Sequence, residues 1–140
     1  IAPKGRRQAR RLPFHSYVSS KGKRILVGRS GKDNHELTFH IARGSDLWLH
    51  ARDAAGAHVI VRLGRGEEVD HETLLDAATL AALASPFKND DKVDVSYTHV
   101  KNVRPIKGAA PGLVSMGRAR NILVRLNPER IHRLESTKNT

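Results

Sequence analysis

The run "DHETLLDAATLAALASP", residues 70–86, constrains the fold of this chain most. Asp70 is placed to cap a helix, an acid follows in the first turn, and Pro86 lies just past the end. Leu74, Ala77, Ala78, Ala81 and Ala84 form one apolar stripe. Leu75, Leu80, Ala82 and Leu83 widen it. A stripe this broad calls for burial against a sheet, not a place on the surface. The small alanines would let the helix sit close to that sheet. The rest of the chain must therefore supply strands.

It does. "FHSYVSSKGKRILVGRSG" reads as two short strands around a turn at Ser20–Lys23. "KDNHELTFHIA" fits a short helix with Asp33 or Asn34 as its cap. "DLWLHAR" alternates, with Leu47 and Leu49 on one face and Trp48 and His50 on the other. "DAAG" turns the chain into the strand "AHVIVRL", which completes a hairpin. "KVDVSYTHV" is a further strand, and "GLVSM" with "NILVRL" is expected to form another hairpin. "NPERIHRL" reads as a final short helix with Asn127 as cap and Pro128 at its first position. The expected fold is a single α+β domain: a mostly antiparallel sheet of hairpins, packed by the alanine-rich helix and shorter helices. With 39% hydrophobic residues over 140 positions, such a core needs no covalent staple.

The chain has no cysteine, which excludes disulfides and thiolate metal sites and fits a reducing compartment. No apolar run approaches the ~20 residues of a membrane span. No charged-then-apolar leader opens the sequence. A cytoplasmic location and no membrane partner are expected.

Charge is the strongest global signal. The formal net charge is +11, a field that attracts polyanions, nucleic acid first among them. The charge is unevenly placed. Lys4, Arg6, Arg7, Arg10 and Arg11 crowd the start, so residues 1–13 read as a flexible basic arm. Residues 63–94 are rich in acids, from Glu67 to Asp94. From Lys101 onward cations dominate again. The molecule should be two-toned, able to orient before it meets a polyanion.

Within the last region, "KNVRPIKGAAPG" (101–112) stands out. Prolines restrict φ and glycines permit turns and close approach, so such a loop loses less freedom on meeting a partner. Lys101, Arg104 and Lys107 are three apart, a spacing that spreads them over several phosphates on an extended backbone. Asn102 adds an amide, and Arg118 and Arg120 extend the patch. "GRSGKDN" (28–34) lacks the spacing of a nucleotide-hydrolysing phosphate loop. It reads as a glycine turn into a helix, or as a bend where Arg29 and Lys32 meet one phosphate. Trp48 is a packing residue or a stacking platform for a base.

Eight histidines invite a search for a metal site. His35, His40, His50 and His58 are the densest group, but no helical pair with an adjacent glutamate is present. His50 and His58 face each other across the hairpin, with Asp53 in its turn. A metal-dependent nuclease or RNA-modifying enzyme built on these three is one alternative. Docking of a protein on the acidic 63–94 side is another. The leading expectation has no catalytic residue, metal, cofactor or small-molecule substrate.

Several blocks resemble the NFACT-R domain, the C-terminal RNA-binding module of ribosome-associated quality-control proteins of the RqcH and NEMF type. They are "VGRSGKDNHELTF" (27–39), "DLWLHARDAAGAHVIV" (46–61), "LLDAATLAALAS" (74–85) and "VSYTHVKNVRPIKGAAPGLV" (95–114). The resemblance covers about residues 14–126. By position its motif residues are Arg29, Lys32, Asn34, Asp46, Trp48, His50, Asp53, Gly56, His58, Lys101, Asn102, Lys107, Gly108, Pro111 and Gly112. Leu49 and Ala57 stand where the family suggests an aromatic and a serine, Arg52 where lysine is common, and Pro105-Ile106 interrupts a more basic run. The resemblance implies contact with tRNA or ribosomal RNA on a large subunit that carries a stalled chain. It does not extend to the tRNA-selecting domain, helix-hairpin-helix and coiled coil that precede this module in full-length relatives, so alanine tailing is not expected of it. The expected organisation is an arm (1–13), the RNA-binding domain (14–134) and a tail (135–140). The expected RNA-binding residues are Arg29, Lys32, Asn34, Trp48, His50, Arg52, His58, Lys101, Asn102, Arg104, Lys107, Arg118 and Arg120.

Overall fold

The computed structural model describes residues 11–139. In chain order the elements are β1 (Phe14–Val18), β2 (Arg24–Gly28), α1 (Gly31–Glu36), β3 (Leu47–Ala51), β4 (Val59–Val61), α2 (His71–Leu83) and β5 (Lys92–His99). They continue with β6 (Val103–Pro105), β7 (Val114–Met116), β8 (Arg120–Arg125) and α3 (Pro128–Glu135). α1 runs on into a wide helical turn at Leu37–Ile41. Six strands form one sheet in the order β1-β2-β4-β3-β5-β8, antiparallel throughout. β6 and β7 form a separate two-stranded ribbon. This is the α+β architecture that the alanine-rich helix demanded.

The period of two along the strands sends alternate side chains to opposite faces. On one face Ile25, Val27, Leu47, Leu49, Val59, Val61, Val93 and Val95 meet Ala77, Ala78, Leu80, Ala81 and Ala82 of α2. The approach is close: the Ala84 carbonyl accepts from Ala57 N–H at 3.3 Å. On the other face Leu26, Trp48 and Ile60 pack with Leu37, Val100 and Val103. The large sheet is therefore covered twice, by α2 and α3 on one side and by α1 with the β6–β7 ribbon on the other.

Two local expectations are overturned. The segments "GLVSM" and "NILVRL" do not pair with each other. β7 pairs with β6, and β8 pairs with β5. The two segments serve opposite faces. Val124 is buried in the α2-side cluster and Ile122 packs against it, whereas Val114 packs against the Trp48 cluster. Arg118 sits between them at a left-handed φ of 52°. The cap of α1 is Ser30, not Asp33 or Asn34. Its Oγ accepts from Asp33 N–H at 3.2 Å and donates to the Asp33 carboxylate at 3.0 Å.

Asp76, fully buried on α2, ties three elements together. Its carboxylate accepts from Arg130 and Arg133 of α3, each at 2.6 Å, and from Ser20 N–H in the β1–β2 turn at 2.9 Å. Burial disfavours its charged form, but these donors outweigh burial and hold the pKa below the usual carboxylate range. After α3 the chain returns to β1, where Ser16 and Asn139 exchange both backbone hydrogen bonds. No helix among the described residues is long and apolar enough to cross a membrane.

Asp76→Ala leaves two half-buried guanidinium groups facing a void. It should cost on the order of 3 kcal/mol in urea unfolding. Because the folded pKa is depressed, the wild-type contribution is present above about pH 4 and is lost as pH falls below it. A variant with an unchanged midpoint and an unchanged acid limb would contradict this role.

Candidate nucleic-acid interface

The cationic segment 101–112 is held on the Trp48 face of the sheet by a short list of contacts. Lys101 and Asn102 lie in a 3-10 turn after β5, Arg104 lies in β6, and Lys107 lies in the loop that leads to β7. It is a turn followed by a ribbon, not a single extended stretch. Asn102 donates its side-chain N–H to Thr98 Oγ1 at 3.2 Å, and its backbone carbonyl accepts Gly117 N–H at 2.8 Å. Thr98 Oγ1 donates to the Gly117 carbonyl at 2.8 Å, which fixes the base of the ribbon where Arg118 sits. Arg104 lays one guanidinium nitrogen on the Lys101 carbonyl at 2.7 Å. This keeps Arg104 beside Lys101.

The far end is held by His58. The imidazole is buried, with Nδ1 at 2.7 Å from Thr38 Oγ1 and Nε2 at 2.9 Å from the Gly112 carbonyl. A carbonyl only accepts, so Nε2 carries the proton and donates, and Nδ1 accepts from the Thr38 hydroxyl. Burial, with repulsion from His50 added, pushes the His58 pKa down to about 4. The ring is neutral at physiological pH. Glycine is required at this contact. Gly112 has φ +93°, and a Cβ there would lie 2.9 Å from the Gly31 carbonyl. The 108–112 turn thus abuts the β2–α1 turn that carries Arg29 and Lys32.

The expected RNA-binding residues fall into two groups. Arg29, Lys32, Lys101, Arg104, Lys107, Arg118 and Arg120 are exposed. Among the described residues none of the seven has a carboxylate within ion-pair distance, whereas Lys23, Arg62, Arg125, Arg130 and Arg133 all do. Arg52 is exposed and lies 3.7 Å from Asp53. The second group is internal. Asn34 is buried; it accepts His58 N–H at 3.0 Å and donates to the Gly56 carbonyl at 3.2 Å. Trp48 is 1% exposed, so it is a core residue and offers no outward stacking face. Both nitrogens of His58 are engaged within the fold, so it has no free nitrogen for a metal or a proton-transfer step. Asn102 is half-buried on Thr98.

Asp46, part of the same motif pattern, is likewise structural. It accepts from Arg43 N–H, Leu63 N–H and Arg62, and so joins the start of β3 to the end of β4. His50 and His58 do face each other, ring centroids 5.6 Å apart, but Asp53 is an exposed turn residue at φ 58°. Among the described residues no three histidine or carboxylate groups converge on a metal position. Half of the eight acids on the 63–94 side meet the protein's own cations. Glu67 pairs with Lys23, Glu72 with Arg130, Asp76 with both α3 arginines, and Asp91 with Arg125. From the basic arm, Arg11 docks on Asp33 at 2.9 Å; positions 1–10 lie outside the described residues.

Sequence reasoning had no signal for Thr38, for Thr98, or for Ser96, whose hydroxyl donates to Asn121 Oδ1 at 2.8 Å. Their partners are distant in the chain, and threonine and serine are unremarkable in strands and helices. It also missed a cleft of about 690 Å³ on the same face, between the β2–α1 turn, the β3–β4 hairpin and residues 111–116.

Residues 13–117 match the family model described as the NFACT protein RNA binding domain. The chain belongs to this family. It is 34% identical to the Rqc2 homolog RqcH of Bacillus subtilis over 124 residues, covering 89% of this chain and 21% of that protein. It is 38% identical to the RqcH of Streptococcus pneumoniae serotype 2 over 107 residues, covering 76% and 19% respectively. The chain thus spans about a fifth of the length of these relatives. Among solved structures, the C-terminal part of the fibronectin/fibrinogen-binding protein from Streptococcus suis superposes with a TM-score of 0.83 at 28% identity. That match covers 99% of this chain and 55% of the other.

In this NFACT RNA-binding domain the neutral His58 makes stability depend on pH. The unfolded chain protonates near pH 6.5 and the folded one near 4, so protons favour unfolding within that window. The contribution is complete above pH 6.5 and falls by on the order of 3 kcal/mol toward pH 4. His58→Gln should flatten this slope, leaving the part due to His50 and His15, whose pKa values burial also lowers. An identical slope in the variant, measured by urea unfolding at stepped pH, would contradict the assignment.

Proposed function

We propose that this chain binds RNA without catalysing its conversion, and that it does so in ribosome-associated quality control by contacting tRNA or large-subunit ribosomal RNA. The observation that carries this reading is the clustering of exposed cations on one ribbon and the turn packed against it. The arginines and lysines that hold the fold together are paired with acids. Those on the β6–β7 ribbon, its base and the adjoining β2–α1 turn are exposed and unpaired among the described residues. Membership in the NFACT RNA-binding family and the similarity to RqcH proteins supply the context of RNA and ribosome.

Recognition on such a surface rests on backbone phosphates and RNA shape. The fixed turns matter here. Arg104 is already held beside Lys101, and the ribbon is already docked, so little ordering remains to be done when a phosphate chain arrives. Release of counterions then makes the affinity fall steeply with salt.

Lys101→Ala/Arg104→Ala/Lys107→Ala should stay folded, because these side chains bury little and pair with no acid. It should lose most binding to tRNA or to ribosomal RNA fragments in a filter assay. The slope of log affinity against log salt should become shallower by about 2 to 3. Unchanged affinity and slope would remove the ribbon from the interface.

A further inference from the structure

The cleft beside the cationic ribbon shares Asn34, Gly56, His58 and Gly112 with the contacts described above, and the rest of its lining includes side chains that those contacts do not use. Its inner wall holds His50, whose ring lies parallel to that of buried Trp48 at 5.8 Å and 6°. The T-shaped contact with His58 at 5.6 Å fixes the ring from another side. His50 is therefore a flat, oriented platform. Burial pushes its pKa down, so at neutral pH it presents an uncharged π-face. Ser96, at the matching position of β5 on the same sheet face, is buried and donates its hydroxyl proton to Asn121 Oδ1 at 2.8 Å, which leaves its oxygen only to accept. Two exposed cations, Arg29 and Arg52, also line the cleft and come from different loops. Asp53 is the one acid on its lining and lies on the hairpin turn beside Arg52.

We infer that this cleft receives a single unpaired nucleotide of the bound RNA, its base against His50 and its phosphates toward Arg29 and Arg52. The inference rests on the RNA-binding reading above and sharpens it. The cleft's volume lies within the range of small-ligand pockets, and an aromatic wall with cations nearby suits a base with its backbone. A duplex cannot present a base there, because its bases are stacked and paired. A bulge, loop or overhang can. The ribbon would hold the backbone while the cleft distinguishes RNA that has a free base.

The test compares one labelled 20-base-pair RNA duplex with the same duplex carrying one bulged adenosine, at fixed salt. The wild type should bind the bulged RNA about tenfold more tightly, the order expected of one stacked base. Ala55→Trp places a large side chain at an exposed position on the cleft's lining. It should abolish the preference and leave duplex affinity unchanged. His50→Ala should also abolish the preference, and His50→Phe should restore it. Equal wild-type affinity for the two RNAs overturns the inference while leaving general RNA binding intact. So does a preference that survives both Ala55→Trp and His50→Ala. Failure of the wild type to bind either RNA would instead overturn the reading on which the inference rests.

Discussion

One buried imidazole holds the candidate interface in place. His58 stands just before the central strand β4, accepts a hydrogen bond from the Thr38 hydroxyl and donates to the Gly112 carbonyl. Its own backbone N–H is taken by Asn34, which also holds Gly56. Three chain segments therefore converge at one point: α1 with its wide turn, the β3–β4 connection and the cationic loop. Leaving any of these buried groups without a partner costs about 1–3 kcal/mol. Close packing at the same point explains an otherwise odd glycine. A Cβ on Gly28 would fall 1.9 Å from Asn34 Oδ1, the atom that accepts His58 N–H.

The fold separates two uses of positive charge. Arg130 and Arg133 are spent on Asp76 and close α3 over α2. Arg62 is spent on Asp46 and fixes the β3–β4 register. In these pairs the carboxylate is buried and the guanidinium partly so, where breaking one partner is costly. The ribbon cations make no such pair. Their field is directed outward, on the sheet face opposite α2. Among the described residues the ribbon and the adjoining β2–α1 turn thus gather exposed cations on one surface.

Much of this was legible in sequence, and the failures are instructive. α2 announced itself by local pattern alone: Asp70 caps it, accepting Thr73 N–H at 2.9 Å, and the broad alanine stripe lies buried. α3 was equally plain from Asn127 and Pro128, and Asn127 Oδ1 does accept from Glu129 and Arg130 N–H. The β3–β4 hairpin followed from alternation. β7 and β8 were misassigned because two short apolar runs close in sequence look like a hairpin, while the faces they must cover are set by distant strands. Trp48, Asn34 and His58 carried the family pattern, but pattern does not say which way a motif residue points. The pairing of Glu72 and Asp76 was not legible, because their partners on α3 lie more than fifty residues away.

The central claim is that geometry, and not charge alone, makes the ribbon an interface. It is tested most directly by comparing the RNA affinity of wild type and His58→Phe at one salt concentration, with folding of each verified by circular dichroism. Phe retains ring volume and every surface cation but cannot donate to Gly112. The account predicts a several-fold loss of affinity, together with faster amide exchange across residues 106–113. Equal affinity despite a loosened ribbon would show that the cations act as an unstructured cloud, and would contradict the account.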